Sequence, residues 1–139
     1  MLNDFNCNCP VYLACGYTDL RRGIDGLATI VEQQFNLDPC ANALFLFCGR
    51  RTDRIKGLYW EGDGFLLLYK RLENGKFCWP RKADECQTIT PQQYRWLMEG
   101  LSIVQPKSNK KISGIKFSLI FKKRLKHRSF QVFCGIIYT

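Results

Sequence analysis

The sequence predicts an α+β fold, an antiparallel β-meander packed with two helices and followed by a basic C-terminal extension. Three observations carry that expectation. Apolar residues recur at helical spacing twice, strand-length apolar runs fill the middle of the chain, and short turn signals separate those runs. With 139 residues, 46% hydrophobic and 14% aromatic, the chain has enough apolar material for one core and too little length for two comfortable domains.

Residues 11–14 form a short strand candidate that leads through Cys15-Gly16-Tyr17 toward a helix, with Thr18 or Asp19 able to cap its first turn. Ile24, Leu27, Ala28, Val31 and Phe35 then make one apolar stripe. Gly23 and Gly26 each weaken a helix by roughly 1 kcal/mol relative to alanine, so either a close contact requires them or the helix begins late. From residue 43 the period becomes strand-like, over 43–48, 55–60, 65–71 and 76–79. A polar loop (49–53), Glu61-Gly62-Asp63-Gly64 and the hairpin signal Asn74-Gly75 connect these runs. Loops so short require antiparallel neighbours, because a parallel crossover needs a dozen or more residues. After a polar stretch, Thr90-Pro91-Gln92-Gln93 combines a capping hydroxyl, proline at the first helical position and glutamine three residues past the cap. Tyr94, Leu97, Met98 and Leu101 follow on one face of this second helix.

The net charge of +9 is unevenly spread. Residues 1–106 hold 12 basic and 12 acidic side chains, whereas residues 107–139 hold nine basic ones and no acid. The composition shift near Gln105-Pro106-Lys107 is the expected boundary between a domain over 1–106 and a basic tail over 107–139. No stretch reaches the ~20 apolar residues of a membrane span, and the start lacks the features of a signal peptide, so a cytoplasmic protein with reduced cysteines is expected. The eight cysteines and the lone histidine, His127, lack paired zinc-ligand spacing, and no metal or other cofactor is expected.

Three constellations could carry chemistry. The loop cluster Arg50, Arg51, Arg54 and Lys56 suits bidentate phosphate contact, against which stands a solvated turn with Asp53 pairing Arg51 or Arg54. The aromatics and cations of the meander, including Tyr59, Trp60, Tyr69, Lys70, Arg71, Phe77, Trp79 and Arg81, could stack bases and track a backbone. Both faces of residues 65–71 are largely apolar, so packing is the favoured role for those aromatics. The carboxylates Asp19, Asp25, Asp53, Glu61 and Asp63 could in principle hold paired metals, but each has an ordinary role as cap, turn or ion-pair residue. With the only histidine in the tail, no Cys-His or Ser-His catalytic pair is expected in the folded part.

In order, residues 12–28 (YLACGYTDLRRGIDGLA), Leu37-Asp38-Pro39, residues 44–56 (LFLFCGRRTDRIK), residues 58–65 (LYWEGDGF), residues 69–75 (YKRLENG), Trp79-Pro80 and the Thr90 helix resemble the TnpB accessory proteins of bacterial insertion sequences, of the element family numbered sixty-six. The similarity spans residues 1 to about 107, with departures at residues 6–10, at Cys40 and in the tail. It implies a non-catalytic accessory role in DNA transposition beside a separate transposase of the same element, by binding DNA or the transposase. The competing expectation is a small metal-dependent nuclease acting on element ends. For DNA contact the candidates are Arg50, Arg51, Arg54, Lys56, Lys70 and Arg71.

Overall fold

In the computed structural model, which describes residues 2–5, 8–82, 86–107 and 109, five strands form one sheet. These are β1 (Val11–Ala14), β2 (Leu44–Cys48), β3 (Arg54–Trp60), β4 (Phe65–Arg71) and β5 (Cys86–Ile89), in the spatial order β4-β3-β2-β1-β5. The central meander is as expected: β2 and β3 are antiparallel with Cys48 opposite Ile55, and β3 and β4 are antiparallel with Arg54 opposite Arg71. β1 joins β2 in parallel, Val11 opposite Leu44. Such a pair needs a crossover, and helix α1 (Ile24–Thr29) supplies it on one face of the sheet.

α1 begins late. Its cap is Gly23, with no side-chain cap bond, and it passes directly into a π-helical turn over Ile30–Gln34 that the Phe35 amide closes on the Ile30 carbonyl at 3.2 Å. The stripe of Ile24, Leu27, Ala28, Val31 and Phe35 packs on Ala14, Phe45, Phe47 and Leu58. Across the sheet, Leu13, Leu44, Leu46, Ile55 and Leu68 meet Tyr94 and Leu97 of helix α2 (Pro91–Met98). With both faces covered, all five residues of β2 are buried and its sequence, LFLFC, shows no polar alternation. At the start of α2, Thr90 accepts from the Gln93 amide while the Gln93 side chain accepts from the Thr90 amide, the reciprocal box that the sequence predicts. Gly100, at φ +82°, follows the end of α2, so Leu101 falls outside the helix and is exposed.

Two expectations change. Residues 76–79 form no ladder: the Phe77 amide donates to the Thr52 carbonyl at 2.7 Å, and the Trp79 indole donates to the Ala14 carbonyl at 3.0 Å. Their alternation is real, since Phe77 and Trp79 are buried while Cys78 is exposed, but it serves a segment laid across the α2 face rather than a fourth meander strand. The fifth strand is instead residues 86–89 of the polar stretch, antiparallel to β1 with Ala14 opposite Cys86. As the outer strand it buries only Ile89 fully, so it lacks a strong apolar pattern.

The described residues belong almost wholly to one compact unit, Met1–Gln105. The alternating tail residues Ile115, Phe117, Leu119 and Phe121, and His127, lie outside the described residues. Cys40, Cys48, Cys78 and Cys86 are free thiols, whereas Cys9 is disulfide-bonded, a departure from the expectation of reduced cysteines throughout. Among the described residues no helix is long and apolar enough to cross a membrane.

Candidate nucleic-acid interface

The strand registers put the ends of β1, β2 and β4 and the starts of β3 and β5 at one end of the sheet. Three connections therefore meet there: residues 15–23, 49–53 and 72–85. Their described residues carry Arg21, Arg22, Arg50, Arg51, Lys76, Arg81 and Lys82, and the adjoining strand ends add Arg54, Lys56, Lys70 and Arg71. The described acids of these connections are Asp19, Asp53 and Glu73, while Asp84 and Glu85 of the third connection lie outside the described residues; Glu99, at the end of α2 next to Gly100, which touches that connection, adds one more acid nearby. At the other end, the described residues of the loops over 2–10, 35–43 and 61–64 carry Asp4, Asp38, Glu61 and Asp63 and no cation. A stretch of chain with no net charge thus has its connections sorted into a basic set at one end of the sheet and an acidic set at the other, where Arg95 of α2 stands near Asp4.

Short backbone bonds tie the three basic connections together. The Thr18 amide donates to the Cys48 carbonyl at 2.9 Å, the Gly16 amide to the Pro80 carbonyl at 3.0 Å, and the Leu72 amide to the Asp53 carbonyl at 2.6 Å. Arg81 is the central clamp: its guanidinium donates to the carbonyls of Gly16 and Gly49 and lies 4.2 Å from the centroid of the Tyr17 ring. Beneath the arginine loop, the Cys48 thiol sits 3.6 Å from the Arg51 carbonyl and 3.5 Å from the Arg54 carbonyl. Burial pushes this thiol upward in pKa, which keeps it a protonated donor to that loop.

These ties frame a cleft of about 570 Å³ whose walls include Tyr17, Tyr69, Arg21, Arg50, Arg51 and Arg54. Tyr17 and Tyr69 are 60% and 54% exposed, unusual for large rings beside a core this well filled. Arg21 is held by Asp19, whose carboxylate accepts from the Arg21 amide at 3.0 Å and from its guanidinium at 2.9 Å. The Arg21 hydrogen bonds hold the Asp19 carboxyl at about 2, well below its usual range. Asp53 accepts from Arg54 at 3.0 Å and from Arg51 at 3.1 Å, and the Arg54 bond lowers its pKa as well. Arg50 has no carboxylate within salt-bridge distance among the described residues, and its guanidinium lies 5.6 Å from the Tyr17 centroid. Arg21 and Arg51 are exposed, and ion pairs of such side chains contribute little stability, so an incoming phosphate can compete for their guanidinium edges, whereas the Arg54–Asp53 pair is half-buried.

Of the six residues that the sequence nominates, the structure brings Arg50, Arg51 and Arg54 onto this cleft. Lys56 stands beside it, donating to the Arg22 carbonyl at 3.0 Å with its ammonium 5.9 Å from the Tyr69 ring. Arg71 shares that face but pairs with Glu73 at 2.9 Å. Lys70 is on the opposite face, bonded to the Asn3 side chain, because neighbours along a strand point to opposite sides. Tyr17 and Arg21 are cleft residues that the composition of the loop cluster did not reveal; they lie some 30 residues away in sequence and arrive through the β1–β2 pairing. Most aromatics of the meander region do pack, Phe77 and Trp79 fully, and Tyr69 is the exception.

The carboxylates do not converge. Asp19 and Asp53 are engaged by arginines at the basic end, while Glu61 and Asp63 sit in the β3–β4 turn at the far end of a seven-residue strand, about 20 Å away at ~3.3 Å per residue. Among the described residues no group of three or more His, Cys, Asp or Glu is placed to hold a metal ion.

The family described as IS66 Orf2 like protein matches residues 9–108 of this chain. Two uncharacterized proteins of Sinorhizobium fredii are similar to it. One, y4jC, is 35% identical over 91 residues, covering 66% of this chain and 78% of the relative. The other, y4hO, is 35% identical over 99 residues, covering 71% and 86%. No solved structure matches.

Proposed function

Because the chain belongs to the IS66 Orf2-like family of insertion-sequence proteins, we propose that it is a non-catalytic accessory protein of DNA transposition that binds DNA through the basic end of its sheet. The observation that carries this reading is the segregation of charge among the connections, which puts cations of three connections at one end of the sheet, lines a cleft there with Arg21, Arg50, Arg51 and Arg54, and leaves acids on the loops of the other end. DNA carries a dense row of phosphates, and guanidinium groups on tied loops present bidentate donors to it at little entropic cost. Such contacts position the protein on a backbone without reading sequence. Choice of element ends then falls to a separate transposase of the same element, the second partner in this proposal. The non-catalytic part of the reading rests on the dispersal of the carboxylates and on the arginines that occupy Asp19 and Asp53.

The test is a DNA titration of Arg50→Ala/Arg51→Ala/Arg54→Ala against the unmodified chain at several salt concentrations. Loss of three phosphate contacts should weaken binding similarly for all sequences and flatten the log-log salt dependence by roughly 2 to 3 units, at ~0.9 per contact. An unchanged affinity and slope in a folded triple variant would remove the cleft from DNA binding. Incubation with element-end DNA and Mg²⁺ or Mn²⁺ tests the catalytic alternative: cleavage that Asp19→Ala or Glu61→Ala abolishes would overturn the non-enzymatic reading. Co-purification with the transposase, with and without DNA, separates direct protein contact from contact bridged by DNA.

A further inference from the structure

We infer that the cleft at the basic end is a seat for an unpaired nucleotide, so that the protein prefers single-stranded or locally opened DNA to an intact duplex; this rests on the reading of that end as a DNA-binding surface. A phosphate-only surface needs cations but no concavity and no exposed rings. Here four arginines share a cleft of about 570 Å³ with two tyrosines that are each more than half exposed. That volume falls in the range of small-molecule pockets, and its four guanidiniums suit an anion, while the one carboxylate in the lining, Asp19, is already paired with Arg21. A base inside a duplex cannot enter such a space, because its faces are covered by its neighbours and its edge by its partner. An unpaired base offers both faces to the rings while its phosphates stay outside, within reach of the guanidiniums.

The two rings are held in different ways that suit this role. Tyr17 is fixed by Arg81, which is itself committed to the Gly16 and Gly49 carbonyls, so the ring is oriented before any ligand arrives. Arg50, at 5.6 Å, is near the outer limit of a cation–π contact and has no acid partner among the described residues, leaving it to cover a base or meet its phosphate. Tyr69 lies on β4, the edge strand, with Lys56 beside its ring. Leu20 adds apolar surface to the lining. Stacking on a tyrosine tolerates any base, so the seat would discriminate strandedness and not sequence.

The experiment measures, with the full chain, the affinity of a 12-nucleotide oligo-dT and of a 20-base-pair duplex for the unmodified protein, Tyr17→Ala, Tyr17→Phe, Tyr69→Ala and the triple arginine variant. Comparing variants at one salt concentration cancels the contribution of the tail. Tyr17→Ala and Tyr69→Ala should each weaken oligo-dT binding roughly five- to one-hundred-fold, the usual worth of one aromatic–base stack, while duplex affinity changes less than about twofold. Tyr17→Phe, which keeps the ring, should bind like the unmodified protein. Equal losses on both DNAs, or no loss on oligo-dT, would overturn the unpaired-nucleotide seat, and the DNA-binding reading would survive if the arginine variant still lost affinity. If the arginine variant binds both DNAs normally, the underlying reading fails instead.

Discussion

At the scale of single residues, the basic end depends on side chains that do two things at once. Arg81 stacks on Tyr17 and bonds two carbonyls, Trp79 fills the core and donates to Ala14, and Asp19 anchors Arg21 through both its amide and its guanidinium. The Asp19 pair has a definite pH signature. The fold lowers the pKa of this carboxyl to about 2, so the ionised form is favoured in the native state. Its contribution is complete above the ordinary value of 3.8 and is lost as pH falls toward 2. Because the group is exposed, the effect is local and small, and it is best read directly. In a carbon-detected NMR titration, the Asp19 midpoint should lie near 2 and return toward 3.8 in Arg21→Ala. A midpoint near 3.8 in the unmodified protein would show that the pair does not persist in solution.

At the scale of elements, the junction after α2 shows how a turn and a crossing segment constrain one another. Gly100 has φ +82°, and a Cβ added there would lie 3.0 Å from the Lys76 carbonyl of the segment that carries Phe77 and Trp79 across the sheet. Gly62 has a comparable φ of +97° in the β3–β4 turn, but nothing lies within 4 Å of its added Cβ. Alanine at either position incurs the left-handed backbone cost of about 1–2 kcal/mol. Only at Gly100 must the crossing segment also shift. Urea unfolding should therefore give a lower midpoint for Gly100→Ala than for Gly62→Ala, and equal midpoints would mean that the crossing segment yields freely.

At the scale of the whole molecule, the question is whether the basic tail belongs to the folded unit. Residues 107–139 hold nine cations without an acid, enough for a salt slope as steep as about −8 if each met a phosphate. Among the described residues the core clusters on both faces of the sheet reach no further along the chain than Ile103, and the family match ends at residue 108. A chain truncated after residue 107 is therefore expected to keep its melting temperature and unfolding cooperativity, and to keep the Tyr17-dependent preference for oligo-dT. Only salt-sensitive background binding should fall. A drop of several degrees in the melting temperature would show that the tail completes the core, and a loss of the oligo-dT preference would assign the seat partly to the tail.

What the sequence determined by itself is whatever depends on neighbours along the chain. The Thr90 capping box, the meander of β2, β3 and β4, the apolar stripe of α1 and the arginine run on the β2–β3 loop are all local patterns, and all are present. Residue alternation in 76–79 also reported burial correctly, but burial does not say whether a backbone has a ladder partner; Thr52 and the α2 face decided that. β5 was hidden for the converse reason, since an edge strand can be held by ladder bonds to β1 with little apolar pattern of its own. The cleft divides in the same way. Arg50, Arg51 and Arg54 stand together in sequence, whereas Tyr17 and Arg21 join them only because β1 pairs in parallel with β2. Lys70 and Arg71, adjacent in sequence, are sent to opposite faces by the pleat. Net charge over residues 1–106 is zero in any conformation, and only the strand order sorts that zero into basic connections at one end of the sheet and acidic ones at the other, because charge adds along the chain but acts through space.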